Sequence, residues 1–276
     1  MAGAMIAIDS RLMAAPLKTD ELLDRVFSRP VAAVIVKLAA PTPITPNQIT
    51  GISALFGVGV GVALGFHVGW VATLSLLAYL AFDCADGQLA RLRGGGGYLG
   101  RAMDGAGDYI AAVAIHIGLA LWIGDLTGSW ITGWLMSAGA GLALIWASFQ
   151  LDRYKRRYRG DTDDLVQLRA EAAATPGIGG WLIARLEPYA EQLDGGVTVP
   201  DREAYQARVR TPMVLWLLNG PTSHFTVMAV CFVLDRPDIY AAIAMGPMVL
   251  ITLLALGLQR RAESREPAVI ERASAE

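Results

Sequence analysis

Four aspartates, Asp83, Asp86, Asp104 and Asp108, fall within FDCADGQLARLRGGGGYLGRAMDGAGDYI, Phe82 to Ile110, directly after a long apolar run. Asp83, Asp86, Gly87, Ala90 and Arg91 recur at i, i+3, i+4, i+7 and i+8, which is one stripe on one helix. Gly100, Asp104 and Asp108 recur at i, i+4 and i+8, a second stripe. Each stripe presents two carboxylates and small residues. Carboxylates crowded together in a low dielectric repel one another and need counter-charge. Oxygen-only ligands favour a hard divalent cation, Mg²⁺ or Mn²⁺, over Zn²⁺. Two such ions bridged by carboxylates suit a phosphate anion. Ion pairs with Arg91, Arg93 and Arg101 would neutralise some of the charge but leave the two matched stripes unexplained.

The elements that must carry these stripes are membrane spans. The chain has 276 residues, 54% hydrophobic and 17% charged, well below the charge content of an ordinary soluble domain. Crossing about 30 Å of hydrocarbon takes roughly 20 apolar helical residues. Six runs have that length: about Asn47–Phe66, Gly69–Arg91, Leu99–Ile123, Ser129–Leu151, Thr211–Leu234 and Ile239–Leu258. The expected fold is therefore an all-α integral membrane protein of six transmembrane helices. Counted inward from Gly69 and from Ile123, Asp83 and Asp108 arrive at nearly the same depth, roughly 21–22 Å in. Asp86 and Asp104 come about one turn nearer the cytoplasm. Ionisable groups inside spans are functional by default.

Lys and Arg cluster in alternate connections, which by the positive-inside rule places both termini and the aspartates toward the cytoplasm. Net charge is −2, so no basic field argues for nucleic acid. The two cysteines, Cys84 and Cys231, give no disulfide framework. The opening stretch lacks the basic n-region and apolar h-region of a signal peptide.

Residues 1–45 read as a cytosolic or interfacial segment. Leu22, Leu23, Val26 and Phe27 recur at helical spacing, so this part is expected to be an amphipathic helix at the interface, broken near Pro30. Thr45 is placed to cap the first span, with Pro46 at its first position. Residues 46–261 form the membrane domain, interrupted by a cytosolic insertion over 152–210, and 262–276 a cytosolic tail. The insertion opens on the cationic run RYKRRYR, Arg153–Arg159, followed by Asp161, Asp163 and Asp164. Arg153, Lys155, Arg156 and Arg157 are candidates for binding an acceptor phosphate, or anionic headgroups as topology anchors. His67, His116 and His224 have no partner legible in the sequence, and Asn219 is read either as lining a cavity or as bonding across helices.

The pattern Asp83-x-x-Asp86-Gly87-x-x-Ala90-Arg91, eight residues, Gly100-x-x-x-Asp104-x-x-x-Asp108 resembles the signature of the CDP-alcohol phosphotransferase family at every defined position and spacing. TPITPNQIT, Thr42–Thr50, also looks like inositol-phosphate-transferring members, which leans toward a soluble CDP-alcohol as donor. The resemblance implies an enzyme that transfers a phospho-alcohol group from a CDP-alcohol to an acceptor hydroxyl and releases CMP. It implies Asp83, Asp86 and Asp104 as metal ligands, with Asp108 at the metal site and as general base. It assigns Gly87, Ala90, Arg91, Gly100 and Asn47 to the nucleotide and diphosphate, although small residues at 87, 90 and 100 also suit close helix packing. The donor is either CDP-diacylglycerol or a soluble CDP-alcohol. Membrane lipids are expected partners, and a homodimer is common among members. The rival reading is a polar-solute or ion transporter with the aspartates as its translocation site; no inverted repeat supports it.

Overall fold

The computed structural model describes residues 19–95, 97–161, 163–194, 197–199, 201–264 and 271–272. Expectations that fall on 1–18, and on most of the tail after Ser264, lie outside these. Helices dominate. The secondary structure also includes an antiparallel ladder of two residues a side, β1 (Val197–Thr198) against β2 (Glu271–Arg272).

The chain enters through a π turn, Asp24–Ser28, that runs directly into α1 (Arg29–Ala39). The expected break near Pro30 does not occur. Pro30 sits in the first turn of α1, where its missing N–H costs no hydrogen bond, and the π turn takes up the local change in pitch. The polarity of this segment is also the reverse of a soluble amphipathic helix. Leu22 and Val26 face outward, whereas Thr19, Asp20, Glu21 and Ser28 are buried.

α2 (Pro46–Gly65) begins at a capping box. Thr45 accepts from the Gln48 N–H, and the Gln48 side chain accepts from the Thr45 N–H at 2.8 Å. α3 (Gly69–Leu92) and α4 (Tyr98–Thr127) form an antiparallel pair joined through the glycine-rich linker, in which Gly94 and Gly95 hold φ of 99° and 96°. α4 packs so closely on α2 that a Cβ at Gly61 would strike the Ala114 carbonyl and one at Gly118 the Gly61 carbonyl. Two membrane helices can approach this far only where both present glycine. Their mutual contact fixes the faces that carry the aspartates.

α5 (Trp130–Arg159) runs two turns beyond its expected end at Leu151. The cationic run is therefore the end of this long helix rather than a loop. The insertion that follows is helical: α6 (Leu165–Ala174), α7 (Ile178–Ala184), α8 (Leu186–Asp194) and α9 (Arg202–Arg208).

The fifth expected span is not one helix. It divides into α10 (Arg210–Leu218) and α11 (Pro221–Val233) at Asn219-Gly220, because Pro221 cannot continue α10 and starts α11 instead. The last span is α12 (Pro237–Ile243), a π turn over Ala244–Met248 containing Pro247, and α13 (Val249–Ser264). Asn219 donates to the Met248 carbonyl at 2.9 Å and to the Thr252 hydroxyl at 2.7 Å, so it binds α10 to this last span.

Among the described residues, four helices are long and apolar enough to cross a membrane: Pro46–Gly65, Tyr98–Thr127, Trp130–Arg159 and Pro237–Ser264. α3 has the length, 24 residues, but its second half carries Asp83, Asp86, Gln88 and Arg91. Large aliphatic side chains such as Leu55, Leu142, Ile145 and Leu250 lie exposed along the helices, as expected where the surrounding solvent is hydrocarbon.

Candidate active site

α3 and α4 bring three of the four aspartates together. Asp83, Asp104 and Asp108 each offer a carboxylate oxygen, and these oxygens lie within 4.8 Å of one another. Asp104 Oδ1 is buried and has no hydrogen-bond partner. A buried carboxylate oxygen left bare beside two further carboxylates suits a cation. Asp86 stands apart from this group. Its Oδ2 accepts from the Thr50 hydroxyl at 2.5 Å, and Thr50 also donates to the Pro46 carbonyl one turn back. Of the aspartates expected at the metal, Asp83, Asp104 and Asp108 thus form one group, and Asp86 is held by Thr50 on α2.

Two cavities meet at these residues. The first, about 580 Å³, is lined by Asn47, Thr50, Asp86, Gly87, Ala90, Arg91, Gly100, Asp104 and their neighbours. All five residues assigned to the nucleotide from sequence border it. Gly87 leaves its face open: the nearest atom to a Cβ there would be the Arg91 guanidinium, at 3.4 Å. A Cβ at Gly100 would meet Asn47 Oδ1 at 3.7 Å. Asn47 Nδ2 lies 3.4 Å from Met103 Sδ, so α2 and α4 touch across the cavity mouth. Arg93 also lines this cavity, and it donates to the Thr42 and Ile44 carbonyls, pinning the connection ahead of α2.

The second cavity, about 570 Å³, reaches Asp83 and Asp108 from the other side. Its walls beyond α3 and α4 come from the N-terminal segment with α1, α5, α8 and α11, including Asp24, Arg29, Lys155, Tyr189 and Phe225. Tyr79, one turn before Asp83 on α3, donates its hydroxyl to Asp108 Oδ1 at 2.7 Å. Phe225 meets the Tyr79 ring edge-on, which leaves the tyrosine little freedom. Asp24 accepts from the Thr222 hydroxyl at 3.1 Å, and burial raises its pKa above the usual carboxylate value.

The cationic run is divided by the helix that carries it. Lys155 lines the second cavity. Arg156 donates to Asp163 at 2.7 Å, and Arg157 is buried with Glu263 at 3.5 Å and its guanidinium over the Tyr154 ring. Arg153 borders neither cavity. Of the four, Lys155 alone borders one of the two cavities, although Arg153 and Arg157, one turn apart, share a helix face.

The histidines serve packing. His116 exchanges contacts with Ser137, His224 lies 3.2 Å from the Tyr240 hydroxyl, and His67 stacks on Trp122. Sequence reasoning missed Thr50 and Tyr79. Both had a signal, being one turn from Asn47 and from Asp83 respectively. It also missed Asp24 and Glu171, which come from distant segments and had none.

The profile of CDP-alcohol phosphatidyltransferases matches residues 43–184, just over half of the chain. A phosphatidylinositol phosphate synthase of Corynebacterium glutamicum is 39% identical over 103 residues, 36% of this chain and 44% of that protein. One of Mycobacteroides abscessus is 28% identical over 102 residues, 35% of this chain and 42% of that protein. The matched stretch spans less than half the length of either relative. The crystal structure of Mycobacterium tuberculosis phosphatidylinositol phosphate synthase with CDP-DAG bound aligns with a TM-score of 0.46 at 15% identity, covering 89% of this chain and 100% of that one. With its family profile covering both aspartate stripes, the chain belongs to the CDP-alcohol phosphatidyltransferase family.

Proposed function

We propose that this protein is an integral membrane enzyme that moves a phosphatidyl group from CDP-diacylglycerol to the hydroxyl of a polar alcohol and releases CMP. The observation that carries the reading is the aspartate group standing between two cavities, one on each side of the place where a phosphate would change partners. The family supplies the reaction type. The relatives, named for making phosphatidylinositol phosphate, support a phosphorylated polyol such as inositol phosphate as the acceptor.

In this reading the nucleotide lies in the first cavity. Gly87, Ala90 and Gly100 admit it by lack of bulk, and Arg91 donates to phosphate oxygens. Asn47 reaches the nucleotide from the first turn of α2. Asp83, Asp104 and Asp108 hold Mg²⁺ or Mn²⁺, and Asp86, kept in place by Thr50, offers its second oxygen to a further ion. Bound divalent metal would neutralise the diphosphate and the charge that develops on departing CMP.

The acceptor enters by the second cavity, with Lys155 on its wall to attract an anionic substituent. Asp108 is the general base. It takes the proton of the acceptor hydroxyl as that oxygen bonds to the phosphorus bearing diacylglycerol. The bond from this phosphorus to the bridging diphosphate oxygen breaks, and the electron pair leaves with CMP. The Tyr79 hydroxyl, on Asp108 Oδ1, holds the carboxylate so that its other oxygen faces the acceptor. Both termini and the insertion face the cytoplasm, with residues 1–45 at the interface, 46–261 forming the membrane domain and 262–276 a tail. The protein acts as a homodimer in this reading.

The test is CMP release by purified protein offered CDP-diacylglycerol or soluble CDP-alcohols with Mg²⁺ and a panel of acceptors, with products identified by mass. CMP release only with CDP-diacylglycerol and a polyol phosphate is the expected result. Release from a soluble CDP-alcohol alone would overturn the donor assignment. No release from any donor, together with cation uptake into vesicles, would replace the enzyme with a transporter.

A further inference from the structure

The first cavity has one wall that the aspartate signature does not supply. The insertion packs across the start of α4. Tyr98 is buried against Leu168 and Ile183, and its hydroxyl donates to the Asp164 carbonyl at 2.9 Å. Asp163 receives both Arg101 and Arg156, at 2.5 and 2.7 Å. Between these contacts Glu171, on α6, accepts the Leu99 N–H at 3.0 Å through Oε1. It caps α4 from outside, because the helix's own N-cap is Gly97 and has no side chain to do so. Gly97 also makes the approach possible: a Cβ there would lie 2.7 Å from Glu171 Oε1 and 3.2 Å from Oε2.

Glu171 lines the same cavity as Asn47, Gly87 and Gly100. A carboxylate with one oxygen on a backbone N–H retains a second oxygen that can only accept. It repels phosphate and attracts an N–H or O–H. Leu99, to which Glu171 is bonded, lies five residues before Asp104, about 7.5 Å along α4. A nucleotide with its diphosphate at the aspartates extends its nucleoside toward that end. The donors it can bring are the exocyclic amine of cytosine and the ribose hydroxyls.

We infer that Glu171 is a donor-binding residue that accepts a hydrogen bond from the exocyclic amine of cytosine and so selects cytidine over uridine nucleotides. Uracil presents a carbonyl oxygen at that position, which the carboxylate repels. The inference rests on the first cavity being the nucleotide site. It gives the insertion a part in substrate choice: the same side chain that fixes the start of the catalytic helix α4 reads the base.

The experiment is calorimetric titration of the full-length protein with CMP, UMP and dCMP in Mg²⁺, for wild type, Glu171→Gln and Glu171→Ala, alongside CMP release from CDP-diacylglycerol. Glutamine keeps an oxygen for the Leu99 N–H and removes the charge; alanine removes both. The expected result is that Glu171→Gln binds CMP about tenfold more weakly and narrows the CMP-to-UMP ratio by a similar factor, as for loss of a charged hydrogen bond. dCMP should follow CMP in every variant. An unchanged CMP-to-UMP ratio in Glu171→Gln, with a loss only in Glu171→Ala, would make Glu171 a helix cap and overturn the proposal. So would a change confined to the dCMP comparison, which would place the contact on the ribose. If wild type binds CMP but releases none from any donor, the proposed reaction fails and the reading of Glu171 stands. If it binds no nucleotide, both fall.

Discussion

The two cavities that meet at the aspartates are built by opposite means. The first is walled by neighbours in sequence: α2, α3, their linker to α4, and α4 itself, with Glu171 as the one residue from beyond α5. The second draws on Asp24 near the start of the chain, Lys155 at the end of α5, Tyr189 on α8 and Phe225 on α11. Local spacing can encode the first. Only the tertiary fold assembles the second. The cavity that would receive the constant half of the reaction, the cytidine diphosphate, is the one a short motif can specify. The cavity for the acceptor is put together from segments that can diverge separately.

The sharpest way to break this comparison is at the aspartate group, which gives Asp104 to the first cavity and Asp83 and Asp108 to the second. Asp108→Asn should lower the rate of CMP release about 10³-fold, the scale of a lost general base, while CMP affinity stays near wild type. A matching loss of CMP affinity would place Asp108 with the donor rather than between the two sites. Chelation of divalent metal should abolish turnover outright and return on adding Mg²⁺ or Mn²⁺.

One step smaller is a pair of changes that should fall on opposite sides. Lys155→Ala should raise the KM for a phosphorylated acceptor about tenfold and leave CMP affinity unchanged, as for a lost charge-assisted hydrogen bond. Arg91→Ala should do the reverse. If both variants move the same substrate, the division of labour between the cavities is wrong. Tyr79→Phe tests the joint between them. It removes the bond to Asp108 Oδ1 and nothing else of the ring, so kcat should fall about tenfold with donor and acceptor KM unchanged, the effect of losing one hydrogen bond that orients the ionised base. Loss of stability without loss of kcat would make Tyr79 a packing residue.

How much of this was legible in the sequence follows the same division. The two stripes, the Thr45 cap with Pro46 behind it, and the antiparallel pair α3 and α4 depend on periodicity and local chemistry, and they stand where the spacing puts them. Composition marks the run at 153–159 as cationic, but it does not register that Arg156 pairs with Asp163 and Arg157 with Glu263. The fifth span read as one apolar stretch, and hydropathy does not register that Gly220-Pro221 both ends one helix and begins another. The acidic residues at the start looked like a solvated face. Burial of Glu21 depends on a partner two hundred positions away, which no local pattern carries.

That partner yields the smallest and most specific prediction. α11 starts at Pro221 behind Gly220 and has no side-chain cap of its own. Glu21 supplies one: Oε1 accepts the Thr222 N–H at 3.3 Å, and Oε2 accepts the Ser223 N–H at 2.7 Å and its hydroxyl at 3.0 Å. Gly220 leaves the space, since a Cβ there would strike this carboxylate. Burial pushes the Glu21 pKa up to about 7, against the lowering effect of the Ser223 bonds. A folded-state value raised above the unfolded one means that the folded protein holds the proton more tightly. The stability this contributes is complete below the unfolded value, near 4.5, and is lost as pH rises through about 7. The thermal unfolding midpoint of wild type should therefore fall by a few degrees between pH 5 and pH 8. Glu21→Gln, which resembles the protonated acid and keeps an acceptor for α11, should remove that part of the fall and equal or exceed wild type at pH 8. A Glu21→Gln variant that is less stable than wild type at pH 8 would show that the ionised carboxylate, held by the N–H groups at the start of α11, outweighs its burial. The N-terminal segment would then be bound to the second cavity by charge, with Glu21 ionised at neutral pH.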